Sequence, residues 1–116
     1  MSKPVVGVIA SMHRIEDRFA VQLVGERNLC ALAEVADALP LMFAGAPGIT
    51  DAGALLDVVD GILLTGARAN VHPTRFDVEP HPSHEPYDED RDALALELTK
   101  ACVARSIPIF GVCRGF

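Results

Sequence analysis

The sequence contains no run of lysine or arginine, and its net charge of -6 offers no footprint for a phosphate backbone. A nucleic-acid partner is therefore not expected. It also lacks any apolar stretch near the ~20 residues that cross a bilayer, so a membrane partner is not expected either. The start, Met1-Ser2-Lys3-Pro4, passes straight into an apolar segment without the basic-then-apolar layout of a signal peptide. Three cysteines without framework spacing fit a reducing compartment and not a secreted disulfide scaffold. The expected location is the cytoplasm. Repeats and low-complexity tracts are missing. With half of its residues apolar and charge near the globular average, the chain of 116 residues is long enough for one small folded domain over residues 1–116 and too short for two.

What is present is an alternation of strand and helix patterns. Val5-Val6-Gly7-Val8-Ile9-Ala10 is a continuous apolar run, as in a strand buried on both faces of a parallel sheet. Residues 11–18 are polar and predict a loop. From about Phe19 to Ala38, Val24, Asn28, Leu32, Val35 and Leu39 recur at helical spacing and predict a helix. Leu39-Pro40-Leu41-Met42-Phe43 predicts a short strand whose proline favours a strand start or a sheet edge. Thr50 is a fair N-cap for a helix to about Val58. Asp60-Gly61-Ile62-Leu63-Leu64 predicts a third strand, delivering Thr65-Gly66 to its C-terminal end. The long stretch from Ala67 to Asp90 has no hydrophobic period, four prolines and three of the four histidines. Such a loop in a compact domain is functional or disordered. Residues 91–105 are helical again, with Leu94, Leu98, Ala101 and Cys102 on one face. The order predicts an open, mostly parallel α/β sheet with helices on both faces, and ligands outside the C-terminal strand ends.

The last stretch, Ile107-Pro108-Ile109-Phe110-Gly111-Val112-Cys113-Arg114-Gly115, predicts a buried strand ending at a cysteine flanked by glycines. This is the cysteine form of a nucleophile elbow, where a strand turns sharply into a helix and lifts the nucleophile above the sheet. A thiol exposed there beside backbone N–H groups can ionise and attack a carbonyl. Cys30 and Cys102 sit among apolar residues of helical patterns and are expected to be small buried hydrophobes. The N–H groups near Gly66 and Arg114 are candidate oxyanion donors, although Thr65-Gly66 alone could be an ordinary turn. His72, Asp77, Glu79, His81, His84 and Glu85 carry metal-binding chemistry. Prolines prevent their helical presentation, however, and no H-E-x-x-H or thiolate pair accompanies them, so no metal is expected. Asp88, Glu89, Asp90 and Asp92 suit a helix N-terminus, and His13 and Arg14, after the first strand, sit where a substrate could be contacted, although a surface loop explains them as easily.

Taken together these residues resemble a known family. The stretch around Cys113 looks like the elbow of class I glutamine amidotransferase-like hydrolases. Asp60-Gly61-Ile62-Leu63-Leu64-Thr65-Gly66 with Ala69-Asn70-Val71-His72-Pro73 is similar to the narrower γ-glutamyl-γ-aminobutyrate hydrolase branch, the peptidase C26 family. Asp90-Arg91-Asp92 and the opening Pro4-Val5-Val6-Gly7-Val8 match that branch too. A glycine pair often found there before the second strand is Asp37-Ala38 in this sequence.

The resemblance implies a flavodoxin-like α/β fold and a small γ-glutamyl amide substrate. Cys113 would be the nucleophile, Gly66 and Arg114 the oxyanion donors, and Asn70 and Arg68 substrate-binding residues, with no cofactor. Family members exceed about 200 residues, within the range of one α/β domain. The chain is therefore expected to be the N-terminal half. The rest would supply the catalytic histidine, its acidic partner and the helix after Cys113, since none of the four histidines here matches the catalytic one. A homodimer, or pairing with the C-terminal half, is the expected assembly. Two alternatives are a glutamine amidotransferase subunit passing ammonia to a synthetase, and a non-catalytic half-domain acting only by association.

Overall fold

The computed structural model describes residues 2–65 and 89–112. Strand β1 (Val5–Ile9) leads through Ala10 into β2 (Ser11–Ile15) and β3 (Phe19–Leu23). A short helix α1 (Glu26–Cys30) continues into a π-helical turn (Ala31–Val35). Then come β4 (Leu39–Phe43), α2 (Ala52–Leu56), β5 (Gly61–Leu64), α3 (Glu89–Arg105) and β6 (Ile109–Gly111).

Four strands form one parallel sheet in the order β4-β1-β5-β6. The chain steps from β1 out to β4, returns past β1 to β5, and then continues to β6. Right-handed crossovers turn that reversal into helices on opposite faces. The expected α/β architecture is therefore present. Pro40 lies opposite Val6 on the outer strand of this sheet, where a missing N–H breaks no central ladder. At its start β5 is tied to β1 by a reciprocal pair. Val5 N–H donates to Asp60 Oδ2, and Asp60 N–H donates to the Val5 carbonyl, both at 2.7 Å.

The core lies on the face covered by α2 and α3. Ile9, Phe43, Ile62 and Leu64 meet Leu56, Leu94, Leu98 and Cys102 there, each large apolar side chain contributing about 1.5–3 kcal/mol by its burial. Gly7 allows this closeness. A Cβ in its place would lie 3.1 Å from Ile62 Cδ1 and 3.2 Å from Val59 Cγ1. The other face is thinly covered, since α1 and the π turn bury no residue. Leu32 with Val6, Leu63, Pro108 and Phe110 instead line a groove of about 390 Å³.

Several expectations are corrected. Residues 11–18 are not a loop, and the helix does not begin at Phe19. Residues 11–23 form an antiparallel hairpin with Ile15 opposite Phe19 and Ser11 opposite Leu23. Glu16 and Asp17 both take φ 53°, and Arg18 N–H donates to the Ile15 carbonyl at 3.0 Å. Residues 16–18 thus make a tight turn between the paired strands, and left-handed residues at its start give a twist that suits a hairpin, so β pairing overrides the helical spacing until Gly25. The cap of α2 is Asp51, which accepts from Ala54 N–H at 3.2 Å, while Thr50 donates instead to the Ala44 carbonyl. Strand β6 is not buried on both faces, because Phe110 on the thinly covered side is 67% exposed. Asp37, where the family glycine was expected, adopts φ 52°, a conformation that glycine reaches without steric cost. Among the described residues, no helix is long and apolar enough to cross a membrane.

Candidate functional site

The C-terminal ends of β1, β5 and β6 lie side by side, and strand order reverses between β1 and β5. In an open α/β sheet that reversal leaves a crevice where ligands bind. Val112 N–H donates to the Leu64 carbonyl at 2.9 Å, so the end of β6 is held level with the end of β5. The residue preceding Cys113 is thereby bound to the residue preceding Thr65. The sequence-predicted site residues themselves, Cys113, Arg114, Gly66, Arg68 and Asn70, lie outside the described residues.

A buried charge organises the described part of this edge. Arg91 is only 1% exposed, and its Nη2 donates to the Thr65 carbonyl at 2.9 Å and to Thr65 Oγ1 at 3.3 Å. A guanidinium withdrawn from water must recover hydrogen bonds from the protein, and Thr65 at the end of β5 provides two, both to Nη2. The arginine comes from the first turn of α3, beside the buried Asp92. Its stem runs past Gly45, where a Cβ would lie 3.3 Å from Arg91 Cγ and would collide with the Ala10 carbonyl. Glycine at 45 therefore admits both the arginine and the end of β1. Gly45 N–H also donates to Gln22 Oε1 at 3.0 Å, latching the hairpin onto the loop after β4.

Sequence reasoning treated residues 88–92 as helix-terminal acids and missed what Arg91 does. The signal was available. Positions 91, 94, 98 and 102 fall on one helical face, and Leu94, Leu98 and Cys102 on that face are core residues. An arginine in line with them is an arginine pointing inward. Gln22 was hidden by the helix expected over its segment.

The other cysteines divide. Cys102 is buried in the core as expected, and its burial pushes the thiol pKa above the ordinary value of 9.0, with Arg105 pulling partly the other way. A neutral, enclosed thiol is no nucleophile. Cys30 is exposed, contrary to expectation, because α1 turns none of its residues into the core. His13 and Arg14 sit on β2 of the hairpin and not on a loop. No group of three or more His, Cys, Asp or Glu among the described residues could hold a metal. The histidine-bearing stretch with His72, His81 and His84 lies outside them.

Comparison with known proteins adds a family match and several relatives. The family model described as Peptidase C26 matches residues 4–116. A "Gamma-glutamyl-gamma-aminobutyrate hydrolase" of Escherichia coli O157:H7 is 35% identical over 119 residues, covering 99% of this chain and 44% of its own length. One of the same name from Shigella sonnei is 34% identical with the same coverage. A "Putative glutamine amidotransferase" of Mycobacterium tuberculosis is 32% identical over 63 residues, 54% of this chain and 20% of its own. The chain thus spans 44% of the length of the hydrolases it matches.

Proposed function

Because this chain belongs to the peptidase C26 family, we propose that the protein carrying it is a cysteine-dependent hydrolase of γ-glutamyl amides. The observation that carries this reading is the parallel pairing of β6 with β5, closed by Val112 N–H on the Leu64 carbonyl. That pairing brings Val112, the last described residue and the one before Cys113 in sequence, to the C-terminal edge of the sheet, where open α/β sheets bind ligands. Two relatives named gamma-glutamyl-gamma-aminobutyrate hydrolase support the substrate class.

In this reading the Cys113 thiolate attacks the γ-carbonyl, and the carbonyl oxygen becomes an oxyanion held by the N–H groups of Gly66 and Arg114. Collapse breaks the C–N bond, the departing amine takes a proton from the catalytic histidine, and a glutamyl thioester remains. Water then attacks the thioester, giving glutamate and the regenerated thiol. Asn70 and Arg68 frame the glutamyl group, and no cofactor is required. Residues 1–116 form the N-terminal part of the domain, and the histidine with its acidic partner belongs to the remainder. Without that histidine neither the thiol nor the leaving amine has its proton carrier.

The test is hydrolysis of γ-glutamyl amides by the intact protein. Cys113→Ala should abolish turnover, and the wild type, quenched during turnover, should carry the added mass of a glutamyl group on Cys113. A fully active Cys113→Ala variant would sink the assignment. The mycobacterial relative's name favours a second reading, an amidotransferase that delivers ammonia. Release of ammonia from glutamine that rises on adding a synthetase partner would select it.

A further inference from the structure

We propose that Arg91 is a positioning residue for the oxyanion site, acting through the Thr65 carbonyl. The inference rests on the reading of Gly66 as an oxyanion donor and adds the group that aims it. A peptide unit is planar and trans, so its C=O and the N–H of the next residue point in opposite directions. The carbonyl of Thr65 and the N–H of Gly66 belong to one such unit. Whatever holds that carbonyl also sets the direction of that N–H.

Three observations converge on Arg91 as the holder. Its Nη2 lies 2.9 Å from the Thr65 carbonyl and 3.3 Å from Oγ1 of the same residue, so the peptide and its side chain are gripped together. The grip begins where β5 ends. The Leu64 carbonyl is taken by Val112 N–H from β6, and the next carbonyl along is taken by the guanidinium. Arg91 is itself held, being 1% exposed on the first turn of the longest described helix with its stem against Gly45. A side chain with so little freedom gives the peptide little freedom in turn.

The chemistry benefits in two ways. A fixed donor needs no reorganisation when charge develops on the substrate oxygen, which is the source of oxyanion-hole catalysis. A cation on the carbonyl also polarises the peptide, making its N–H a stronger donor in a site of low dielectric. Arg91 touches no reacting atom in this scheme. Its contribution is confined to the transition state and should leave the binding of substrate nearly unchanged.

The experiment compares the intact wild-type protein with Arg91→Met, which removes the donors, and Arg91→Lys, which keeps a cation but loses the planar fork. Turnover of a γ-glutamyl anilide and the rate of Cys113 alkylation by iodoacetamide are both measured, the latter because that displacement uses no oxyanion hole. Roughly a 10- to 100-fold fall in kcat is expected in Arg91→Met, somewhat below the loss of a direct donor. KM should stay within about twofold and alkylation should be unaltered, as for an interaction made only in the transition state. If Arg91→Met does not fold, Arg91→Lys carries the same expectation at a smaller loss of kcat. A folded variant with wild-type kcat overturns the proposal. So does a loss of kcat matched by an equal loss of alkylation rate, which would mean general damage to the site. A wild type that does not cleave the anilide removes the hydrolase reading and the proposal with it. That outcome is distinct from an active wild type with an indifferent arginine.

Discussion

Burial decides what each described cysteine can do. Cys102 lies wholly inside the core with its thiol pKa pushed up by desolvation, while Cys30 faces water on α1. Native protein treated with iodoacetamide should therefore be modified at Cys30 and spared at Cys102, as peptide mass mapping will show. Modification of Cys102 at a rate similar to Cys30 would mean that the core is open. The pKa shift also has a sign in stability. Folding favours the protonated thiol, so this contribution is fully present below the unfolded thiol's ordinary value of 9.0 and is lost as pH rises through the higher folded value. The urea midpoint of the wild-type chain should fall more steeply above pH 9 than that of Cys102→Ala, and parallel slopes would contradict it. Helical spacing was enough to place Cys102. It failed for Cys30 because an apolar neighbour in sequence is not a contact in space.

Among the elements, the hairpin of β2 and β3 departs furthest from its sequence pattern. Phe19-Ala20-Val21-Gln22-Leu23 leads directly into residues spaced for a helix, and a single-segment reading merges the two. Gly25 is the boundary, extended in backbone and placed as the cap of α1. The hairpin is sustained by contacts remote in sequence, such as Gln22 on the Gly45 N–H at 3.0 Å. Its turn holds Glu16 and Asp17 at φ 53°, which costs any residue with a Cβ. Replacing the pair by Asn-Gly should stabilise the hairpin by about 1 kcal/mol, since those residues favour this turn. Slower amide exchange across the ladder, at Ile15 and Val21 for example, would show it; unchanged exchange would count against the turn described.

For the whole molecule, the asymmetry between the two sheet faces dominates. One face is packed by α2 and α3, and the other leaves Phe110 67% exposed and Met42 47% exposed. Apolar surface of that kind drives association. The isolated 116-residue chain should sediment as a concentration-dependent mixture of monomer and larger species, and Phe110→Lys should shift it toward monomer. Sedimentation velocity of the two chains decides this. Identical profiles would show that the face is not sticky.

The alternation of strands and helices, the place of the proline-bearing strand at the sheet edge, the inward face of α3 and the family were all legible from the chain alone. Each of these is a local property, set by period, turn chemistry or residue spacing, which neighbours in the chain share. The position of the hairpin, the covered sheet face and the group that Arg91 holds emerge from the folded arrangement. Those depend on partners 23 to 26 residues away in sequence, as Gln22 with Gly45 and Thr65 with Arg91 show. A buried guanidinium goes where a carbonyl waits for it, and which carbonyl that is depends on the order in which the strands line up.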